Sequence, residues 1–232
     1  MKEWIDRHKR ILQKAASALL AFMVGVCLVF MIHPVKTLPK DRLLSLSRMQ
    51  ADSQRFVASS SKEPALEDLL SLELVREEGK TQKNWVALSA FVKKFGKAAS
   101  FTQEDTSFGA QVQLGYGTPV KGIYPYKIEF HEQDGVFYLS AVQGFVPHSS
   151  LYKKKKDLKL ADFTGYQTLD GKKEKGTIVE EVLKKSGLPN SLSLTRTQDK
   201  HLLALSYQVT DGLVSLTFER DQSGQYRLSK KG

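Results

Sequence analysis

Histidine is the side chain best suited to act as a base, a proton shuttle or a metal ligand near neutral pH. The chain has five, and none has suitable company. His8 and His33 flank a long apolar run, while His131 and His201 fall singly on or beside strand-like stretches, without the i, i+4 pairing that helical metal sites use. His148 stands beside a hydroxyl in Pro147-His148-Ser149-Ser150, but nucleophile and base meet through the fold rather than along the chain. The sequence has no G-x-S-x-G elbow, no H-E-x-x-H and no phosphate loop ending in Gly-Lys-Ser/Thr. Gly115-Tyr116-Gly117 lacks the third glycine and the helix of a dinucleotide fingerprint, and reads as a turn. Cys27 is the single cysteine, so neither a disulfide framework nor a cysteine-rich zinc site can form within the chain. The expectation is a protein that is not an enzyme, with no catalytic residues, metal site, cofactor or small-molecule substrate.

The unusual polar feature is the row Lys153, Lys154, Lys155, Lys156, followed by Lys159. Four adjacent ammonium groups repel one another, and salt screens that repulsion, so a solvated loop accounts for them. The functional alternative is attraction to phosphate-rich material: lipid headgroups, anionic envelope polymer such as teichoic acid, or DNA. Each lysine near an anionic surface contributes about 1 kcal/mol. The formal charge of +10, from 35 Lys+Arg against 25 Asp+Glu, points the same way.

The elements that would hold these residues begin with a membrane segment. Ala15 to Ile32 reads AASALLAFMVGVCLVFMI, without a charge. At the helical rise it spans about 27 Å, close to the thickness of a hydrocarbon core. Lys2, Arg7, Lys9, Arg10 and Lys14 precede it, with Glu3 and Asp6 as the only acids, so residues 1–14 are expected in the cytoplasm and the remainder outside. Met31-Ile32-His33-Pro34-Val35 offers no small-residue cleavage site, and Val26 ahead of Cys27 argues against lipid attachment. An uncleaved signal anchor in the plasma membrane is the expectation.

A stalk over 33–40, containing Pro34 and Pro39, leads into a first module over 41–150. Its first helix is expected from Asp41 to about Ala58. A second begins at Pro64, carries Leu66, Leu69, Leu70 and Leu74, and stops at Gly79. The third carries Trp85, Leu88, Phe91, Val92 and Phe95 and ends at Gly96. Alternation then sets in at Val112, Leu114 and Tyr116, and again at Tyr126, Ile128 and Phe130, before the Asp134-Gly135 turn. Residues 151–175, rich in lysine and poor in apolar periodicity, read as a linker. A second module over 176–232 opens with Thr177 and Glu180 at capping-box spacing, and its helix ends at Gly187. A four-strand meander follows. The hairpins ending at Ser140 and Ser229 echo one another, with Phe130 and Phe218 at matching places. The expected class is α+β: one transmembrane helix, then two small helix-plus-antiparallel-sheet modules.

That layout resembles conjugation-channel subunits of the TcpC type. The residues carrying the likeness are the span Ala15 to Ile32, the Trp85 to Phe95 helix and the two hairpins. The resemblance implies tandem extracytoplasmic modules of the nuclear-transport-factor-two-like or cystatin-like kind. It further implies an assembly role in a bacterial envelope complex for transfer or secretion, with other envelope proteins or further copies of the chain as partners.

Overall fold

The computed structural model describes residues 53–75, 85–106, 109–133, 135–145, 147–169, 176–197 and 200–232. All of them lie in one compact unit, Leu44–Gly232. The apolar run Ala15 to Ile32, the cytoplasmic segment and the stalk lie outside the described residues. Among the described residues, no helix is long and apolar enough to cross a membrane.

Eight strands make one sheet in sequence order, every neighbouring pair antiparallel. They are β1 Ser100–Thr106, β2 Gly109–Tyr116, β3 Tyr126–Gln133, β4 Val136–Phe145, β5 Ser191–Arg196, β6 His201–Val209, β7 Gly212–Arg220 and β8 Tyr226–Lys231. Among the described residues the helices are short: α1 Leu66–Leu70, α2 Leu88–Phe95 and α3 Val179–Ser186, with a 3-10 turn at Leu160–Phe163. This corrects the expected pair of nuclear-transport-factor-two-like or cystatin-like modules. Val142 of β4 pairs with Leu194 of β5, and Gly144 with Leu192, so the two meanders continue each other edge to edge. Separate modules would each have exposed an edge strand with unpaired N–H and C=O groups; the β4–β5 ladder removes both edges and makes one apolar face.

Within that sheet the same unit occurs twice. In the β3–β4 hairpin, Phe130 faces Leu139 while Glu129 faces Ala141, leaving Ser140 as the extra residue of a bulge. In β7–β8, Phe218 faces Leu228 while Thr217 faces Lys230, leaving Ser229 in the same position. The residue ahead of each helix bridges the last strand of its own meander: Ala87 pairs with Tyr138 of β4, and Ile178 with Arg227 of β8. Both helices end on a glycine with positive φ, Gly96 at 85° and Gly187 at 73°, a conformation that side chains bearing a Cβ resist.

The buried apolar residues of the strands share the helix-covered face. Leu114, Ile128, Phe130, Leu139, Leu203, Leu205, Leu216, Phe218 and Leu228 are completely buried. Burying each such side chain is worth about 1.5 to 3 kcal/mol. Phe91 of α2 meets Tyr116 and Phe130 edge-on, with ring centroids 5.8 and 5.4 Å away. The opposite face carries small or polar residues, among them Gln143, Ser193, Ala204 and Thr217, aligned strand to strand.

Several element boundaries move. Of the helix expected from Asp41 to Ala58, only a turn over 53–56 falls within the described residues. Trp85 is buried ahead of α2 rather than inside it, and Leu74 is buried after α1 has ended. Thr177 is not a helix cap: its hydroxyl accepts the Gln167 N–H at 2.8 Å, and α3 begins at Val179 after an uncapped Ile178. Of the expected linker 151–175, the described residues 151–169 pack on the sheet: Phe163 and Tyr166 are buried in the common core and Phe163 lies 5.0 Å from the Tyr207 ring.

Candidate binding surfaces

The helices α2 and α3 both run toward the same end of the sheet. Gly96 at the end of α2 accepts the hydroxyl of Tyr116, the last residue of β2, and Gly187 at the end of α3 accepts that of Tyr207 near the end of β6. The β2–β3 loop, the β4–β5 connection and the β6–β7 turn therefore share this end. Lys93 and Lys94 lie in the last turn of α2, Lys184 and Lys185 in the last turn of α3, and the acids Glu180 and Glu181 in the first turn of α3.

The lysine row belongs to this end and is held in place by its backbone. The Lys153 carbonyl accepts the Leu188 N–H at 3.1 Å, and Lys154 bridges Gly187. A Cβ on Gly187 would collide with the Lys153 carbonyl, so the close approach itself requires glycine there. Lys155 donates its ammonium to the Lys185 carbonyl at 2.7 Å, serving the negative end of the α3 dipole. Lys153, Lys154, Lys155, Lys156 and Lys159 are all exposed. Among the described residues, no carboxylate forms an ion pair with their ammonium groups or with those of Lys184 and Lys185, although Asp162 accepts the Lys159 backbone N–H at 2.8 Å. The structure thus brings Lys153, Lys154 and Lys155 beside the end of α3, which carries Lys184 and Lys185, two lysines that the sequence reading missed. Leu151, 68% exposed, and Tyr152 line the groove between the row and α3.

A second surface at the same end is apolar. Val120 and Ile123 pair across a two-residue turn, with Lys121 and Gly122 at its tip, and stand 70% and 60% exposed. Tyr124 lies over Gly115, where a Cβ would come within 2.6 Å of its ring. With Pro125, Phe145 and Glu63 these residues enclose an open depression of about 650 Å³. The sequence reading missed this patch. Its signal was Val120 and Ile123 flanking the Lys121-Gly122 turn in a stretch with no strand alternation.

Among the described residues, the side chains with catalytic potential do not assemble. The Ser150 hydroxyl donates directly to Glu67, and its backbone N–H does so at 2.9 Å, leaving no base between hydroxyl and carboxylate. Burial would raise Glu67, but the hydrogen bonds from Ser150 and Ser149 outweigh it and bring the carboxyl down to about 2. Ser149 accepts the N–H groups of Leu151 and Tyr152, both at 3.0 Å, which is turn-capping geometry. His148 is exposed and contributes its backbone, donating N–H to the Tyr126 hydroxyl at 2.9 Å. Burial pushes that phenol up to about 12. His131 sits in β3 opposite Tyr138, and His8 and His33 lie outside the described residues. His201 lies 3.5 Å from Glu73, which also pairs with Arg220, while Arg196 donates to the Leu74 carbonyl at 2.8 Å. Burial first, then Arg196 and Arg220, outweigh Glu73 and hold this imidazole down to about 4. Among the described residues, no group of three or more His, Cys, Asp or Glu has metal-binding geometry.

No family model matches the chain, and no curated protein matches it. One solved structure, described as a "putative beta-lactamase inhibitor protein" from Streptococcus mutans, aligns with 74% of this chain and 97% of its own. Its sequence identity is 14% and the TM-score is 0.40, a likeness that carries no functional weight.

Proposed function

We propose that this chain is a non-catalytic, membrane-anchored protein-binding module that takes part in assembling an envelope complex. The observation that carries the reading is the patch of Val120, Ile123, Tyr124 and Phe145, grouped at one end of a well-packed sheet. Large apolar side chains gathered in one depression, rather than scattered singly, are what a protein partner buries. The apolar run Ala15 to Ile32 supplies the anchor, and the direct Ser150–Glu67 contact argues for a structural role of those polar groups.

Replacing Val120 and Ile123 with Asp tests the reading, because neither supports the core. Affinity capture of the full chain from solubilised membranes should recover a partner with the native protein and lose it with the double variant. Recovery of the monomer alone, or equal recovery from both, overturns the proposal. The second reading, binding of anionic polymer or lipid headgroups through Lys153 to Lys156 and Lys159, gains from Lys184, which lines the same groove as Lys153 and Lys155.

A further inference from the structure

The lysine row is held in place rather than free. Its backbone is fixed against Gly187 and Leu188, and α3 adds Lys184 and Lys185. Among the described residues, Lys155 is the member of the row whose ammonium group has a hydrogen-bond partner, the Lys185 carbonyl. Apolar side chains are interleaved with the charges: Leu151 is 68% exposed and Leu160, beside Lys159, is 43% exposed.

From this we propose that the ledge docks on an anionic lipid bilayer, Leu151 and Leu160 entering the headgroup layer while Lys153, Lys154, Lys156, Lys159 and Lys184 contact lipid phosphates. A soluble polyanion would satisfy the ammonium groups and leave both leucines in water, whereas a bilayer interface takes the two chemistries together. The inference rests on the reading of residues 15–32 as an anchor, which brings a bilayer within reach of the domain. It gives the lysines a role separate from the protein-binding patch.

The test uses the full chain with Cys27→Ser and Leu151→Cys, a fluorophore on the new thiol, reconstituted in phosphatidylcholine vesicles with or without phosphatidylglycerol. The docked label should be shielded from acrylamide in the anionic vesicles and exposed in the neutral ones. High salt should abolish the shielding, as should replacing Lys153, Lys154, Lys156 and Lys159 with Gln. Each lysine is expected to contribute about fivefold to the docked population. Lys155 is left in place because it caps α3, and unchanged circular dichroism would verify that the variant folds. Equal quenching in both vesicle types overturns the inference. So does equal shielding produced in neutral vesicles by soluble polyphosphate, which would name a polymer instead. Failure to float with either vesicle overturns the anchor and the docking together, whereas flotation with an exposed label overturns docking alone.

Discussion

The hydroxyl of Tyr116 donates to the carbonyl oxygen of Gly96, twenty residues earlier, at 2.8 Å. The hydroxyl of Tyr207 does the same to Gly187, again twenty residues earlier, at 3.1 Å. Each bond satisfies a carbonyl that helix geometry leaves without an intrahelical partner, and each ties a helix end to a strand end. Burial pushes both phenols well above the usual tyrosine range, as expected of hydroxyls acting only as donors. Together with the matched bulges at Ser140 and Ser229, they make the chain a structural repeat fused into one sheet.

Tyr116→Phe and Tyr207→Phe should therefore behave alike. Each removes one hydrogen bond, a loss of about 1 to 2 kcal/mol, toward the upper end at Tyr207, whose acceptor residue Gly187 is buried, and the lower end at Tyr116, whose acceptor residue Gly96 is exposed. The sites share no partner, so the double variant should lose the sum. Urea unfolding of the three variants measures this. A negligible loss in either single variant would show that its bond does not support the repeat.

Gly144 faces Tyr126 across the β3–β4 ladder, and a Cβ there would meet the Tyr126 ring at 2.8 Å. Gly144→Ala should displace a fully buried ring and cost about 1 to 3 kcal/mol. It should also disturb the His148 backbone that the Tyr126 hydroxyl holds. Thermal unfolding checks the cost. A variant with unchanged Tm would show that the ring yields freely.

His201 supplies a pH dependence. Its folded pKa of about 4 is below the unfolded value of 6.5, so the unfolded chain takes up protons first as pH falls. Its contribution is complete above about 6.5 and is lost progressively toward 4, of order 1 to 2 kcal/mol once solvent screening is allowed for. Glu67, with its carboxyl lowered from 4.5 to about 2, loses its own contribution in the lower window between those values. Unfolding midpoints taken from pH 7 to pH 4 should fall more steeply for the native chain than for His201→Gln. Parallel slopes would mean that the imidazole is not held neutral by burial, Arg196 and Arg220.

Much of the sheet is legible in the sequence because Val112, Leu114 and Tyr116, then Tyr126, Ile128 and Phe130, alternate in register with one covered face. The strand β1 is not, because SFTQEDT is an edge strand with a single large apolar residue, Phe101. The joining of the two meanders escapes local reading because it rests on Val142 meeting Leu194 across the whole β4–β5 connection. Residues 151–175 mislead because Phe163 and Tyr166 anchor an irregular path whose spacing follows neither a helix nor a strand. The lysine row was visible as a charge run. Its neighbours Lys184 and Lys185 were not, since it takes the fold, through the Lys153–Leu188, Lys154–Gly187 and Lys155–Lys185 contacts, to bring the end of α3 beside it. The Val120–Ile123 tip is hidden for the opposite reason: two isolated apolar residues in a turn carry no periodic signal.

The most direct test of the protein-binding reading places a photo-crosslinking amino acid at Ile123 of the full chain in its native membranes. The account predicts a discrete crosslinked species containing a second polypeptide, with the yield falling when Val120 is replaced by Asp. Illumination that yields only the uncrosslinked chain or lipid adducts would contradict it.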